Sequence, residues 1–326
     1  MKILVTGGTG FLGQHLTRVL LMAGHTVSMM GRDFSQVSPS LCKEAVPIIC
    51  DLRNKDAVKL ACRGMDAVYH VGALSTAWGR RADFFAINVE GTRAVVEGCR
   101  EHEVKRLIYV SSPSVIFKGA DQQNVTEALP YPRRFASVYS LTKKLGEDLV
   151  NAAGPGLETV ILRPKAIFGP GDRTLLPQLI AAARRRRLPQ IGDGRNLVDL
   201  TYVENVAEAL LLTLHADAAI GKTYTITNDE HILLWEVIRQ VLQELRLPTQ
   251  LRQIPLSVAL AAAAMMEARA ALTGTEPLLT RYSAAILART QTYDIAAAKR
   301  DLGYAPSISV ATGIERTLAA LKEREI

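Results

Sequence analysis

"VTGGTGFLG", residues 5–13, joins a strand-like run to a helix-like one, and its glycines decide how the rest of the chain is read. Gly7, Gly10 and Gly13 recur every third residue, directly after the apolar KILVT. In such a turn the first glycine permits a tight bend, the second lets backbone approach a pyrophosphate, and the third lets helix lie close on strand. The free amides and positive dipole at the helix start, around Phe11 and Leu12, then hold the anion. Glycine spacing alone is weak, so its position at the first strand-to-helix junction is what gives it force.

Outward from this turn, short β-branched runs alternate with amphipathic stretches: TVSMM, VPIIC, AVYHV, RLIYVSS and TVILRP, separated by helical segments near 12–23, 54–62, 84–101 and 138–152. Leu12, Leu16, Val19, Leu20 and Ala23 share one helical face, and Gly24 ends it. The pattern predicts an α/β chain, a Rossmann-type doubly wound parallel sheet with a smaller, mostly helical, discontinuous C-terminal substrate lobe. The expected dinucleotide-binding domain covers 1–165, with a return to it at about 197–230, and the lobe covers 166–196 and 231–326.

At the end of the second strand, where an acid would accept hydrogen bonds from the adenosine ribose of NAD, the chain reads "TVSMMGRD". Gly31 takes the acid's place and Arg32 follows, suited to a ribose phosphate. NADP(H) is therefore the expected cofactor. Asp33, next along, leaves NAD(H) open.

"VYSLTKKLGE", residues 138–147, holds the second informative pattern. Tyr139 and Lys143 lie about 40° apart on a helix, whereas Lys144 is about 140° away. A phenol with a pKa near 10 needs about 4 kcal/mol to drop by roughly three units. An ammonium about 4 Å away at an effective dielectric near 20 supplies about that. "VSSPS" at 110–114 ends another strand, and Ser112 is the expected hydroxyl beside a substrate carbonyl, with Ser111 and Ser114 as neighbours. A Tyr-x-x-x-Lys helix alone is common; together with the dinucleotide turn and a serine-bearing strand end it indicates proton transfer.

Composition narrows the class. The chain has 326 residues and a formal charge of +7, with one dense basic run, Arg184 to Arg187, read as a solvated helix end rather than a nucleic-acid site. The four cysteines show neither disulfide nor zinc spacing, so no metal is expected. No secretory pattern opens the chain, and the expected location is cytoplasmic. The apolar stretch at 254–266 reads as too short to span a bilayer, leaving at most weak peripheral membrane contact.

Together, "TGGTGFLG", "NVEGT", "SSPSVIFKG", "YSLTK", "RPKAIFGPGD", "DLTYVENVA" and "DLGYAP" resemble the extended short-chain dehydrogenase/reductase superfamily, and within it the 3β-hydroxysteroid dehydrogenase group. The nearest look is to 4α-carboxysterol dehydrogenases and 2-alkyl-3-oxoalkanoate reductases. The resemblance implies a catalytic set of Ser112, Tyr139 and Lys143, with Tyr139 and Lys143 also at the cofactor. It places Asp51 and Leu52 by adenine, Gly72 and Ala73 along the cofactor backbone, Asn88 near the active-site helices, and Pro164 and Ile167 by the nicotinamide.

The resulting expectation is an NADP(H)-dependent oxidoreductase interconverting a secondary alcohol and a ketone on a hydrophobic substrate, a β-hydroxy or β-keto acid or a 3β-hydroxysteroid-like compound. A homodimer is expected. Two rivals are weighed: an NAD-dependent nucleotide-sugar epimerase or dehydratase, and a dinucleotide-sensing protein without chemistry. The apolar "PLSVALAAAAMMEARAALTG" argues against the first, and the joint presence of Ser112, Tyr139 and Lys143 against the second.

Overall fold

The computed structural model describes residues 1–324. The apolar runs form β1 (Lys2–Thr6), β2 (Thr26–Gly31), β3 (Val46–Ile49), β4 (Ala67–His70), β5 (Arg106–Val110), β6 (Gln122–Val125) and β7 (Glu158–Pro164). All but β6 enter one parallel sheet with the strand Thr223–Ile226, in the order Thr223–Ile226, β7, β5, β4, β1, β2, β3. Strand order reverses between β1 and β4. The glycine turn after β1 and the loop after β4 therefore sit side by side at the carboxyl edge, where open α/β sheets bind ligands.

Both faces of the sheet are covered, which is why its strands are apolar throughout rather than alternating. The helices Phe11–Met22 and Val203–Leu212 cover one face, burying Leu12, Leu16, Leu20, Val206 and Leu210 against Ile3, Val5 and Ile108. Lys55–Ala61, Gly91–Glu101 and Val138–Asn151 cover the other, with Val58, Val95, Cys99 and Val150 against Leu4, Val68 and Leu107. All four cysteines are free thiols.

A second, four-stranded sheet is built from β6 and three later strands. His231–Leu233, Leu197–Asp199, Gln291–Tyr293 and β6 lie in that order. The region after 231 thus contains strands that its helical reading omits, because three residues are too few to show a period. Within 197–230 the chain gives the main sheet the covering helix Val203–Leu212 and the strand Thr223–Ile226. Leu197–Asp199 joins the second sheet, and only Thr223–Ile226 joins the first.

The apolar stretch beginning near 254 is longer than its sequence suggests. Leu256–Thr273 forms an 18-residue helix with mean hydropathy 1.4, long and apolar enough by length and composition to cross a membrane. This corrects the expectation that it is too short. Only 17 % of it is buried, and it leaves Val258, Met265 and Leu272 exposed.

Candidate active site

The turn at Gly7 is closed by backbone on both sides. Gly7 has φ of +67°, and a Cβ there would lie 2.5 Å from Gly72 Cα. At Gly13 a Cβ would lie 2.2 Å from the Gly7 carbonyl oxygen, so the helix can sit this close to the turn only without a side chain. The cradle opens into a cavity of about 680 Å³. It runs past Arg32, Asp51 and Leu52 at one end to Ser112, Tyr139 and Lys143, then to Pro164 and Ile167. Phe11, Leu12, Gly72 and Ala73 also line it, so every residue singled out from the sequence meets there except Asn88.

Asn88 stands behind the wall, within a π-helical turn, Phe85–Glu90. Its Oδ1 accepts from the Leu74 amide at 2.7 Å, and its Nδ2 donates to Leu74 O and to Thr142 Oγ1 at 3.0 and 3.1 Å. One amide thus ties the loop after β4 to the helix carrying Tyr139. With these bonds Asn88 holds the frame of the site.

That helix, Val138–Asn151, is started by Ser137, whose hydroxyl accepts from the Ser140 amide at 3.0 Å. Gly146 explains its closeness to the sheet: a Cβ there would lie 2.1 Å from the Tyr109 hydroxyl. Lys143 is buried, with Nζ donating to Val110 O at 2.7 Å and lying 4.0 Å from the centre of the Tyr109 ring. Burial lowers its pKa to about 7, against the pull of the Glu147 carboxylate. Tyr139 is half-buried, and lost solvation pushes its phenol up to about 12, opposed by the nearby Ser112 hydroxyl. The ammonium expected to acidify the phenol is turned onto the Val110 carbonyl. The helical spacing brings the two residues into one cavity, and the charge coupling inferred from it is not what sets the Tyr139 pKa here.

Ser112 lies two residues past β5 and caps the following 3-10 turn, accepting from the Ser114 amide at 3.2 Å. The buried hydroxyls of Ser111 and Ser114 have no hydrogen-bond partner among the described residues. Such groups are costly unless a ligand or water meets them.

Behind Lys143 lies a pair the sequence reading missed. Glu147, one turn further on, is fully buried and accepts from Arg163 Nε and Nη2 at 2.8 and 2.7 Å. Tyr131 joins both, donating to Glu147 at 2.7 Å and accepting from Arg163 at 3.0 Å. The i, i+4 step from Lys143 to Glu147 was the available signal, although nothing local marks Arg163 as its partner. Lys165, Tyr282 and Gln291 also line the cavity, the last two supplied by the lobe.

At the adenosine end, a Cβ on Gly31 would meet Thr9 side-chain atoms at 2.4 Å, so no acid fits where NAD would want one. Asp33 turns away, accepting from Ser35 N and Oγ at 2.8 and 2.9 Å. Asp51 is held by Arg53 through Nε and Nη2, which with the Arg53 amide lowers its pKa to about 2. Arg32 is exposed on the cavity rim, with only a loose 3.9 Å approach to Asp51. The backbone cradle, the anion-binding helix start and the partnerless serines fit a nicotinamide dinucleotide.

Residues 4–256 match the 3-beta hydroxysteroid dehydrogenase/isomerase family. A 2-alkyl-3-oxoalkanoate reductase of Stenotrophomonas maltophilia is 39 % identical, over 98 % of this chain and 99 % of that protein. The decarboxylating sterol-4-alpha-carboxylate 3-dehydrogenase of Mus musculus is 35 % identical, over 97 % and 90 %. Among solved structures, the UDP-glucuronic acid 4-epimerase of Bacillus cereus in complex with NAD superposes with a TM-score of 0.79 over the full length of both chains. At 23 % identity that likeness describes the fold alone.

Proposed function

Because the chain belongs to the 3-beta hydroxysteroid dehydrogenase/isomerase family and is an NAD(P)-dependent oxidoreductase of hydroxy and keto groups, we propose that it uses NADP(H) on a hydrophobic β-hydroxy or β-keto acid. A 3β-hydroxysteroid-like compound is the second substrate class. The observation that carries the reading is the meeting of Ser112, Tyr139 and Lys143 in the cavity that begins at the glycine turn.

A bound nicotinamide supplies hydride to the carbonyl carbon or takes it from the alcohol carbon. The protein manages the oxygen. Tyr139 gives its phenolic proton to the carbonyl oxygen in reduction and recovers it in oxidation, while Ser112 donates a second hydrogen bond that fixes the oxygen. Lys143, whose charge burial weakens and Glu147 partly restores, supplies a donor at the ribose side. Burial of the Tyr139 phenol keeps it protonated between turnovers, the state that reduction requires.

The NADP(H) preference is supported by Gly31, which leaves no room for an acid, and by Arg32 on the rim. The apolar lobe supports a hydrophobic small-molecule substrate. We further infer a cytoplasmic homodimer with at most weak peripheral membrane contact through Leu256–Thr273, and no nucleic-acid partner.

The test is coenzyme oxidation on a panel of 2-alkyl-3-oxo acids and cyclic ketones. Tyr139→Phe is expected to abolish turnover while coenzyme Kd changes little; retained turnover would remove Tyr139 from the chemistry. Arg32→Ala is expected to weaken NADPH binding roughly 10- to 100-fold with NADH nearly unchanged, the loss of charge-assisted bonds to a phosphate. Equal losses for both coenzymes would assign Arg32 elsewhere.

A further inference from the structure

We propose that Lys165, together with Gln291, forms a carboxylate-binding subsite in the wall of this cavity, which selects a β-hydroxy or β-keto acid over the corresponding ester or simple ketone. The inference deepens the oxidoreductase reading and rests on it.

Two cations lie two residues apart at the end of β7, and they differ in one decisive way. Arg163 is neutralised by Glu147 through two hydrogen bonds. Lys165 is 8 % exposed, and among the described residues no carboxylate lies within ion-pair distance of it. Its Nζ donates to a neutral acceptor, Gln291 Oε1, at 2.7 Å and lies 5.7 Å from the centre of the Tyr293 ring. The acid whose charge reaches it, Asp199, is already engaged: Oδ1 meets His231 Nδ1 at 2.6 Å and Oδ2 accepts from the Tyr293 amide at 2.8 Å. A buried ammonium with no anion of its own is unfavourable unless a ligand completes it.

The position suits such a ligand. Lys165 and Gln291 line the same cavity as Tyr139 and Ser112, and Lys165 follows Pro164 directly. In a β-hydroxy or β-keto acid the carboxylate carbon is two bonds from the carbon that exchanges hydride. Its anion must therefore lie within a few ångströms of the reacting centre, on the cavity wall rather than at its mouth. The buried Ser114 hydroxyl lines the same cavity beside the Tyr282 phenol and offers a further donor. Burial lowers the Lys165 pKa to about 8, which still leaves it mainly protonated at pH 7.

The experiment compares a medium-chain 3-hydroxy acid with its methyl ester, oxidised at saturating coenzyme. The wild-type enzyme is expected to prefer the acid in kcat/KM by roughly 30- to 100-fold, mainly through KM, the range of a hydrogen bond to a charged group. Lys165→Met should bring the acid-to-ester ratio towards one. Gln291→Glu places a competing anion on Lys165 at almost constant volume and should do the same, which guards against a misfolded first variant. A wild-type ratio near one, or variants that lose acid and ester in equal proportion, would overturn the subsite. Calorimetric binding of acid and ester to the enzyme–coenzyme complex gives the same ratio without turnover. Acid-selective binding without oxidation would therefore sink the substrate reading and leave the subsite standing.

Discussion

Strand β1 and the helix Leu256–Thr273 are both apolar, and the molecule treats them in opposite ways. In β1, Ile3, Leu4 and Val5 are wholly buried between two helical layers. In the helix only Ala259, Ala263 and Ala270 are buried, while Leu272 is 89 % exposed. Both carry large apolar side chains, Ile3, Leu4 and Val5 in one and Val258, Met265 and Leu272 in the other, so the difference is topological. A strand at the centre of a doubly wound sheet has neighbours on both faces, whereas a helix on the outside of the lobe is covered on one stripe of small residues. Apolar character identifies a core only when the chain supplies a second layer to close over it.

Charge shows a second contrast, between Arg163 and Lys165 at the end of β7, and the largest predicted effect tests it. In the sheet half, Glu147, on the helix that carries Tyr139, and the buried Arg163 of β7 neutralise each other. Arg163→Met should cost about 3–5 kcal/mol in urea unfolding, because it strands a buried carboxylate. A loss below about 1 kcal/mol would mean that the pair is not a central support of this half, and the contrast with the unpaired Lys165 would lose its basis.

The next effect appears in pH. The folded-state pKa of Lys143, about 7, lies below its unfolded value near 10.5. Between these values the unfolded chain binds more protons, so this residue's contribution to stability rises with pH from about 7 to 10.5 and is least favourable below 7. Subtracting the Lys143→Met curve from the wild-type curve over that window should expose a rise of a few kcal/mol. A flat difference would mean that Lys143 is solvated or paired in solution.

These contrasts also explain what could be read from the sequence alone. The glycine turn and the Tyr139 helix were legible because their logic is local: three-residue glycine spacing, four-residue helical spacing, and a strand just before each. The sheet followed from the alternation of β-branched and amphipathic runs. Lys165 and Gln291 are 126 residues apart and meet only because Gln291–Tyr293 pairs with β6 and Leu197–Asp199 in the second sheet. Three-residue strands carry no period from which that pairing could be drawn. Likewise, Tyr139 and Lys143 share a helical face as expected, yet the Val110 carbonyl that holds the ammonium belongs to another strand.

The smallest expected change sharpens the opening comparison most directly. Leu272→Ser and Met265→Gln alter side chains that are 89 % and 69 % exposed, so each should shift unfolding free energy by no more than about 0.5 kcal/mol. Truncating Leu4 or Val5 to alanine, by contrast, should cost roughly 2–5 kcal/mol, since each is fully enclosed. The measurement is urea unfolding of dilute protein, paired with sizing at the same concentrations. Should the helix variants lose 2 kcal/mol or more together with a change in apparent size, those side chains are covered in solution. The helix would then be one half of an interface between copies, its second layer supplied by another chain.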